Sequence, residues 1–150
     1  VVLDPMCGVG TILYEYAAAH GEASLAGVDI DADAVHVAQE NLARAKCPAA
    51  RVTEGDATKL AMDDGSVDRI LCNLPFGKKY SSEAENVRLY RALSREWARV
   101  LKPEGAMALL TSDAAAFRQT FGAMPGLKCQ AEARVDVLGI WADLMVVTKR

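Results

Sequence analysis

The sequence predicts an α/β fold: a doubly wound, mostly parallel sheet closed at one edge by a C-terminal antiparallel hairpin. Three observations carry that expectation. Strand and helix patterns alternate over most of the chain, the sign of βα units around a parallel sheet. A glycine-rich turn, Asp4-Pro5-Met6-Cys7-Gly8-Val9-Gly10-Thr11, follows the first apolar run, where such sheets place a ligand-binding turn. At the far end the runs Lys128 to Val137 and Ile140 to Lys149 are joined only by Leu138-Gly139, and strands connected that tightly must be antiparallel.

The first strand spans Val1 to Asp4. Its helix runs from Thr11 to His20, with Ile12, Leu13, Tyr16 and Ala17 on one face and Gly21 as its stop. Leu25 to Ile30 reads as the second strand, ending in Asp29-Ile30-Asp31. Asp33 stands where it can cap a helix from Ala34 to about Lys46, striped by Val35, Ala38, Leu42 and Ala45 and ended by Pro48. Arg51 to Glu54 is a short third strand leading to Gly55-Asp56-Ala57-Thr58, and the turn signal Asp63-Asp64-Gly65-Ser66 precedes a fourth, Val67 to Asn73. After a polar loop from Gly77 to Glu85, a helix from about Asn86 to Leu101 stops at Pro103-Glu104-Gly105. Met107 to Thr111 gives a fifth strand, and Ser112 or Asp113 caps a helix reaching about Ala123.

With 150 residues, 51% of them apolar, the chain is sized for one domain, residues 1–150. No apolar stretch approaches the length of a membrane span and no secretory leader pattern opens the sequence, so a soluble, intracellular, cytoplasmic protein is expected. The chain starts inside an apolar strand without an initiator Met, which reads as a fragment of a longer protein. Cys7, Cys47, Cys72 and Cys129 lie far apart, with only His20 and His36 as nitrogen partners. Buried or half-buried free thiols are expected, and neither a metal site nor a disulfide framework. The net charge of −3 offers no global attraction to nucleic acid. Locally, Arg69, Lys78, Lys79, Arg88, Arg91, Arg95, Arg99 and Lys102 face only Glu83, Glu85 and Glu96, which makes either a basic edge to the site or a solvated helix face.

A glycine-rich turn lets backbone approach a ligand with no Cβ in the way, and the helix behind it offers unpaired N–H groups. Met6, Cys7, Gly8, Gly10 and Thr11 are therefore candidate cofactor contacts. Asp29, followed by Ile30, ends the second strand where a dinucleotide fold places an acid for ribose hydroxyls, so the spacing permits a nicotinamide cofactor. Two features count against it. Leu13 stands where the dinucleotide fingerprint has its third glycine. Asp4, at the mouth of the first strand, would repel a pyrophosphate but suits a cation such as the amino or sulfonium end of S-adenosylmethionine (SAM). Asp56, beside Ala57, could accept from an adenine amino group. Each acid alone could be a turn residue or a helix cap; three at successive strand ends outline a nucleoside site.

The second motif, Asn73-Leu74-Pro75-Phe76-Gly77, ends the fourth strand, next to the first in a doubly wound sheet and so across the crevice. Methyl transfer from a sulfonium mainly requires alignment of nucleophile, methyl and sulfur. An exocyclic base amine is a poor nucleophile because its lone pair is delocalised into the ring. The Asn73 amide oxygen and the Leu74 carbonyl could accept its N–H groups, Pro75 could hold that carbonyl, and Phe76 could stack on the base. The plain alternative is an Asn–Pro turn with Phe76 in the core. A thiolate mechanism through Cys72 or Cys7 fits poorly, because Cys72 and Asn73 are adjacent on a strand and point to opposite faces.

The two motifs together, extended by Lys78-Lys79, closely resemble the catalytic domain of the THUMP-associated RNA guanine-N2-methyltransferases, over essentially the whole chain. The resemblance implies a Rossmann-like class I methyltransferase fold of seven strands, SAM as donor, and transfer to the N2 amine of a guanosine in tRNA or another structured RNA. By position, Asp4, Gly8 and Gly10 would line the methionine end of SAM, Asp29 the ribose, Asp56 the adenine, and Asn73 to Phe76 the guanine. Family members often carry Asp where this chain has Asn73. Asn also occurs in adenine-N6 and glutamine methyltransferases, so an amino-methyltransferase on either is the alternative, alongside a non-catalytic SAM-fold binding module. The family's RNA-binding THUMP domain is not in this sequence, so RNA would be held through a separate N-terminal domain or a partner subunit.

Overall fold

The computed structural model describes residues 1–21, 24–45, 47, 50–75 and 83–150. Its elements are β1 (Val2–Asp4), α1 (Thr11–His20), β2 (Leu25–Asp29), α2 (Ala32–Arg44), β3 (Ala50–Glu54), β4 (Val67–Asn73), α3 (Glu83–Val100), β5 (Leu101–Thr111), α4 (Ala114–Gln119), β6 (Leu127–Val137) and β7 (Ile140–Lys149). The strands form one seven-stranded sheet in the order β3-β2-β1-β4-β5-β7-β6. Neighbours from β3 to β5 are parallel, whereas β7 runs antiparallel to both β5 and β6. The doubly wound sheet with a terminal hairpin is thus the observed fold. Among the described residues, no helix is long and apolar enough to cross a membrane.

Helix α1 starts at Gly10, whose φ of 84° puts it in the left-handed region that a residue with a Cβ rarely adopts. A Cβ there would also lie 3.2 Å from the Ala38 Cβ of α2, so the glycine lets the two helices approach. Leu13 of α1 packs with Val35, Ala38 and Leu42 of α2 and Val2, Leu25 and Val52 of the sheet in one cluster. The other cluster joins Leu3, Ile70, Cys72 and Leu109 to Tyr90, Leu93 and Trp97 of α3 and Phe117 of α4. Helices on both sheet faces are why the successive residues Val2 and Leu3 of β1 are both buried, one in each cluster.

Several boundaries differ from the sequence reading. Asp31, not Asp33, caps α2: its carboxylate accepts from the N–H groups of Asp33 and Ala34 at 3.0 and 3.4 Å, and Asp33 becomes a first-turn residue. Strand β5 begins at Leu101, six residues before the expected Met107. Leu101 is fully buried and pairs with Val67, and the register then jumps to Arg69 opposite Ala106. Pro103, Glu104 (φ 63°) and Gly105 occupy that bulge, which is how a strand accommodates a residue without an N–H. Helix α4 ends at Gln119, short of Ala123, because the Thr120 hydroxyl donates to the Ala116 carbonyl at 2.7 Å while its N–H bonds to Phe117. Cys129 is exposed, against the expectation of a buried or half-buried thiol, because it lies on β6, the edge strand of the sheet. Pro48, Lys46 and most of the polar loop lie outside the described residues.

Candidate active site

Strand order reverses between β1 and β4, and both strands end at the same edge of the sheet. That is the point where an open α/β sheet has its ligand crevice. Leu3 pairs with Ile70, so Asp4 stands beside Leu71, and Asn73 projects about 7 Å further toward that edge at about 3.3 Å per residue. The crevice thus has a buried carboxylate on one wall and an exposed amide on the other.

Asp4 is 1% exposed. One of its oxygens accepts from the Met6 N–H at 3.2 Å, and the Cys72 thiol donates to it. Burial pushes its pKa up to about 7, helped by the negative charge of Asp29, and the hydrogen bonds only partly offset this. The same burial, together with these acids, pushes the Cys7 thiol up to about 12 and raises Cys72 well above the usual thiol range. Neither sulfur is an activated nucleophile. Both are packed small residues, as the sequence reading held.

Asp29 is also a strut of the glycine loop. Its Oδ2 accepts from the Gly8 N–H at 2.7 Å and its Oδ1 from the Asp31 N–H at 3.0 Å. Gly8 has a φ of 50° and nothing within 4 Å of where a Cβ would be, so the loop backbone borders open space. Each Asp29 oxygen keeps a second lone pair for a ligand hydroxyl.

Beside this loop lies a cleft lined by Pro5, Met6, Asp29, Ile30, Asp56 and Ala57, with Leu89 and Leu93 of α3 as its far wall. Its volume is about 130 Å³, room for one ring system and short of the roughly 300 Å³ that encloses a drug-sized ligand. Ile30 is 76% exposed at its lip. Asp56 stays ionised, because the hydroxyl and N–H of Thr58 donate to its Oδ1 at 2.7 and 2.8 Å and hold its pKa below the ordinary value. Gly10 and Thr11 do not join this cleft. They border a separate depression with Val9, Tyr14, Asn41 and Arg44. Cys7 does not line the cleft either; its N–H donates to the Val28 carbonyl at 3.0 Å.

At the second motif, Asn73 ends β4 opposite Leu110 with its side chain exposed. Leu74 buries its side chain completely, and its N–H donates to the Leu110 carbonyl at 2.9 Å. Pro75 follows; Phe76, Gly77, Lys78 and Lys79 lie outside the described residues. Of the basic run, Arg88, Arg91 and Arg95 are exposed on α3, three and four residues apart and so on one face. Arg99 is absorbed by Glu96, Asp64 and the carbonyls of Leu60 and Met62, and Lys102 by Asp68. The sequence reading missed what α3 does for the site. Trp97 donates to the Ala57 carbonyl at 3.0 Å and Glu96 accepts from the Leu60 N–H at 2.7 Å. The helix therefore fixes the segment after β3 that floors the cleft. Only the amphipathic period of α3 hinted at Leu89 and Leu93.

A family profile described as UPF0020, RMKL-like, methyltransferase domain, matches residues 1–143. The chain is 33% identical over 138 residues to the tRNA (guanine(6)-N(2))-methyltransferase THUMP3 of Homo sapiens, covering 83% of this chain and 27% of that protein. To the U6 snRNA (guanine-N(2))-methyltransferase THUMPD2 of Mus musculus it is 34% identical over 114 residues, 75% of this chain and 21% of the relative. The crystal structure of TrmN from Thermus thermophilus superposes with a TM-score of 0.88 at 30% identity, over 99% of this chain and 43% of that one. The chain therefore spans about a quarter of the length of the mammalian relatives.

Proposed function

The chain belongs to the UPF0020 family as an RMKL-like methyltransferase domain, and from that premise we propose that it transfers a methyl group from SAM to the N2 amine of a guanosine in tRNA or another structured RNA. The observation that carries this reading is the pairing of β1 with β4, which sets Asp4 and the Gly8 loop across one crevice from Asn73, Leu74 and Pro75.

The residues fit that donor. Asp4 offers a buried anion for an ammonium group, the Gly8 backbone borders open space, Asp29 keeps acceptor capacity for ribose hydroxyls, and the small apolar cleft with exposed Ile30 suits an adenine ring beside Asp56. When bound, SAM supplies an electrophilic methyl on a sulfonium that carries its own leaving group. The protein's task is then alignment. The Asn73 amide oxygen and the Leu74 carbonyl accept the two amine N–H groups, so that the nitrogen lone pair turns from the ring toward the methyl. As the amine gains positive charge, both acceptors strengthen, which is where they lower the barrier, and the proton that the methylated nitrogen must then shed passes to solvent water, neither carbonyl being basic enough to keep it. Arg88, Arg91 and Arg95 give the RNA backbone few contacts against a net charge of −3. RNA is therefore held mainly through a further RNA-binding domain or a partner subunit.

The perturbed Asp4 yields a pH prediction. Below a pKa of about 7 the free protein holds Asp4 protonated, and a cationic ligand must displace that proton. Affinity for S-adenosylhomocysteine therefore rises with pH, by at least about tenfold from about pH 5.5 to about pH 7, while the ligand's own amine, with a pKa near 7.7 or above, stays charged. Calorimetry across that range checks it; a flat profile, or the same rise in Asp4→Asn, contradicts the assignment. For the reaction itself, the protein together with the domain or partner subunit that holds RNA is incubated with methyl-labelled SAM and a mixture of unmodified structured RNA and protein. Label in the RNA supports the proposal. Label in a protein glutamine, or cofactor binding without transfer to RNA, would replace it.

A further inference from the structure

Helix α3 buries two polar residues one turn apart, Asn86 and Tyr90, and Tyr90 reaches the second motif. The Tyr90 hydroxyl lies 3.5 Å from the Pro75 carbonyl oxygen and 3.0 Å from the Thr111 Oγ1, and the Asp113 N–H donates to that same Oγ1 at 3.0 Å. An N–H can only donate and a carbonyl can only accept, and each hydroxyl has one hydrogen. Asp113 therefore donates to Thr111; with the Tyr90 hydrogen on Pro75, Thr111 donates to Tyr90, and with it turned away, Tyr90 donates to Thr111. Asp113 is itself fixed, with one carboxylate oxygen on the Ala116 N–H at 2.9 Å and the other on the Asn86 amide at 3.1 Å.

We infer that Tyr90 is a positioning residue: through this hydroxyl relay it holds the Pro75 carbonyl and with it the turn that presents the Leu74 carbonyl, against which the acceptor amine is held. The ring of Pro75 restrains φ, and the Tyr90 bond to its carbonyl restrains ψ. On the other side the Leu74 N–H is tied to Leu110, the residue before Thr111. The two bonds flank the Leu74–Pro75 peptide and hang on consecutive residues of β5, so the Leu74 carbonyl is held between them although it makes neither bond. Tyr90 is fully buried and burial raises its pKa above the ordinary tyrosine value, so it stays a donor at neutral pH. A tyrosine that merely filled the core would be replaced by phenylalanine with no effect on this turn.

The test compares Tyr90→Phe, Thr111→Val and Thr111→Ser with the wild-type protein, well below the melting temperature. Hydrogen exchange of the Leu74 amide is expected to quicken at least tenfold in Y90F and T111V and to stay within twofold in T111S, with β2 amides unchanged in all three. The relevance of the relay to chemistry rests on the methyl-transfer reading. There, kcat should fall at least tenfold in Y90F with the KM for SAM within twofold, and T111S should keep wild-type turnover. Unchanged Leu74 exchange in Y90F overturns the relay whatever the activity. Faster exchange with unchanged kcat overturns its positioning role. If the wild-type protein, assayed with the domain or partner subunit that holds RNA, transfers no methyl to RNA, the functional reading falls, and the exchange measurement alone decides the relay.

Discussion

Replacing Asn73 by alanine is expected to slow methyl transfer about a hundredfold or more while leaving SAM affinity within about twofold. The side chain is exposed at the end of β4, and its backbone register with Leu110 does not depend on it. The fold therefore loses little. What is lost is the acceptor that holds the amine and meets the positive charge developing on it, an interaction that matters in the transition state and not in cofactor binding. Asn73→Asp keeps an oxygen at the same place and should retain most of the turnover on a guanine amine. Initial rates at saturating SAM, set beside calorimetric SAM affinity, separate these effects. Normal turnover in Asn73→Ala, with SAM binding weakened tenfold, would move Asn73 to the cofactor side of the site.

Asp29→Ala is the second large effect, and it acts at two levels. A ligand's ribose hydroxyls lose a charged acceptor, worth roughly 1.5–3 kcal/mol and thus about ten- to a hundredfold in affinity. The Gly8 N–H also loses its 2.7 Å bond, so the loop loosens even without ligand, and the melting temperature should drop by several degrees at about 2–4 °C per kcal/mol. Asp29→Asn can keep one of the two loop bonds and should recover most of the melting temperature but less of the affinity. Undiminished affinity for SAM and S-adenosylhomocysteine in Asp29→Ala would place the nucleoside elsewhere.

The fold was legible because its signals are local. Hydrophobic period, Gly10 before Thr11, Gly21 after His20 and the two-residue link at Leu138-Gly139 each act over a few residues. Boundaries were misread where two local solutions competed. Asp31 and Asp33 can both cap α2, and Asp31 wins with Asp29 holding its N–H from the strand end. Pro103 looked like an end to structure, yet Leu101 is drawn into the sheet by its buried place opposite Val67.

At the site, the acids and the Asn73 turn were legible because strand ends converge in any doubly wound sheet. Contacts between distant elements left no local trace. The Gly8 bond to Asp29 spans 21 positions, the Trp97 anchor on Ala57 spans 40, and Tyr90 reaches Pro75 only because α3 crosses β4 and β5 there. The separation of Gly10 and Thr11 from the cleft beside Asp29 likewise depends on how α1 sits against α2.

Nucleoside mass spectrometry of RNA treated with SAM and the protein together with the domain or partner subunit that holds RNA, digested and compared with the Asn73→Ala control, tests the central claim most directly. N2-methylguanosine that accumulates with the wild-type protein and fails to accumulate with Asn73→Ala is the predicted result. N6-methyladenosine in its place, or no methylated nucleoside from a protein that binds S-adenosylhomocysteine and folds normally, would contradict it.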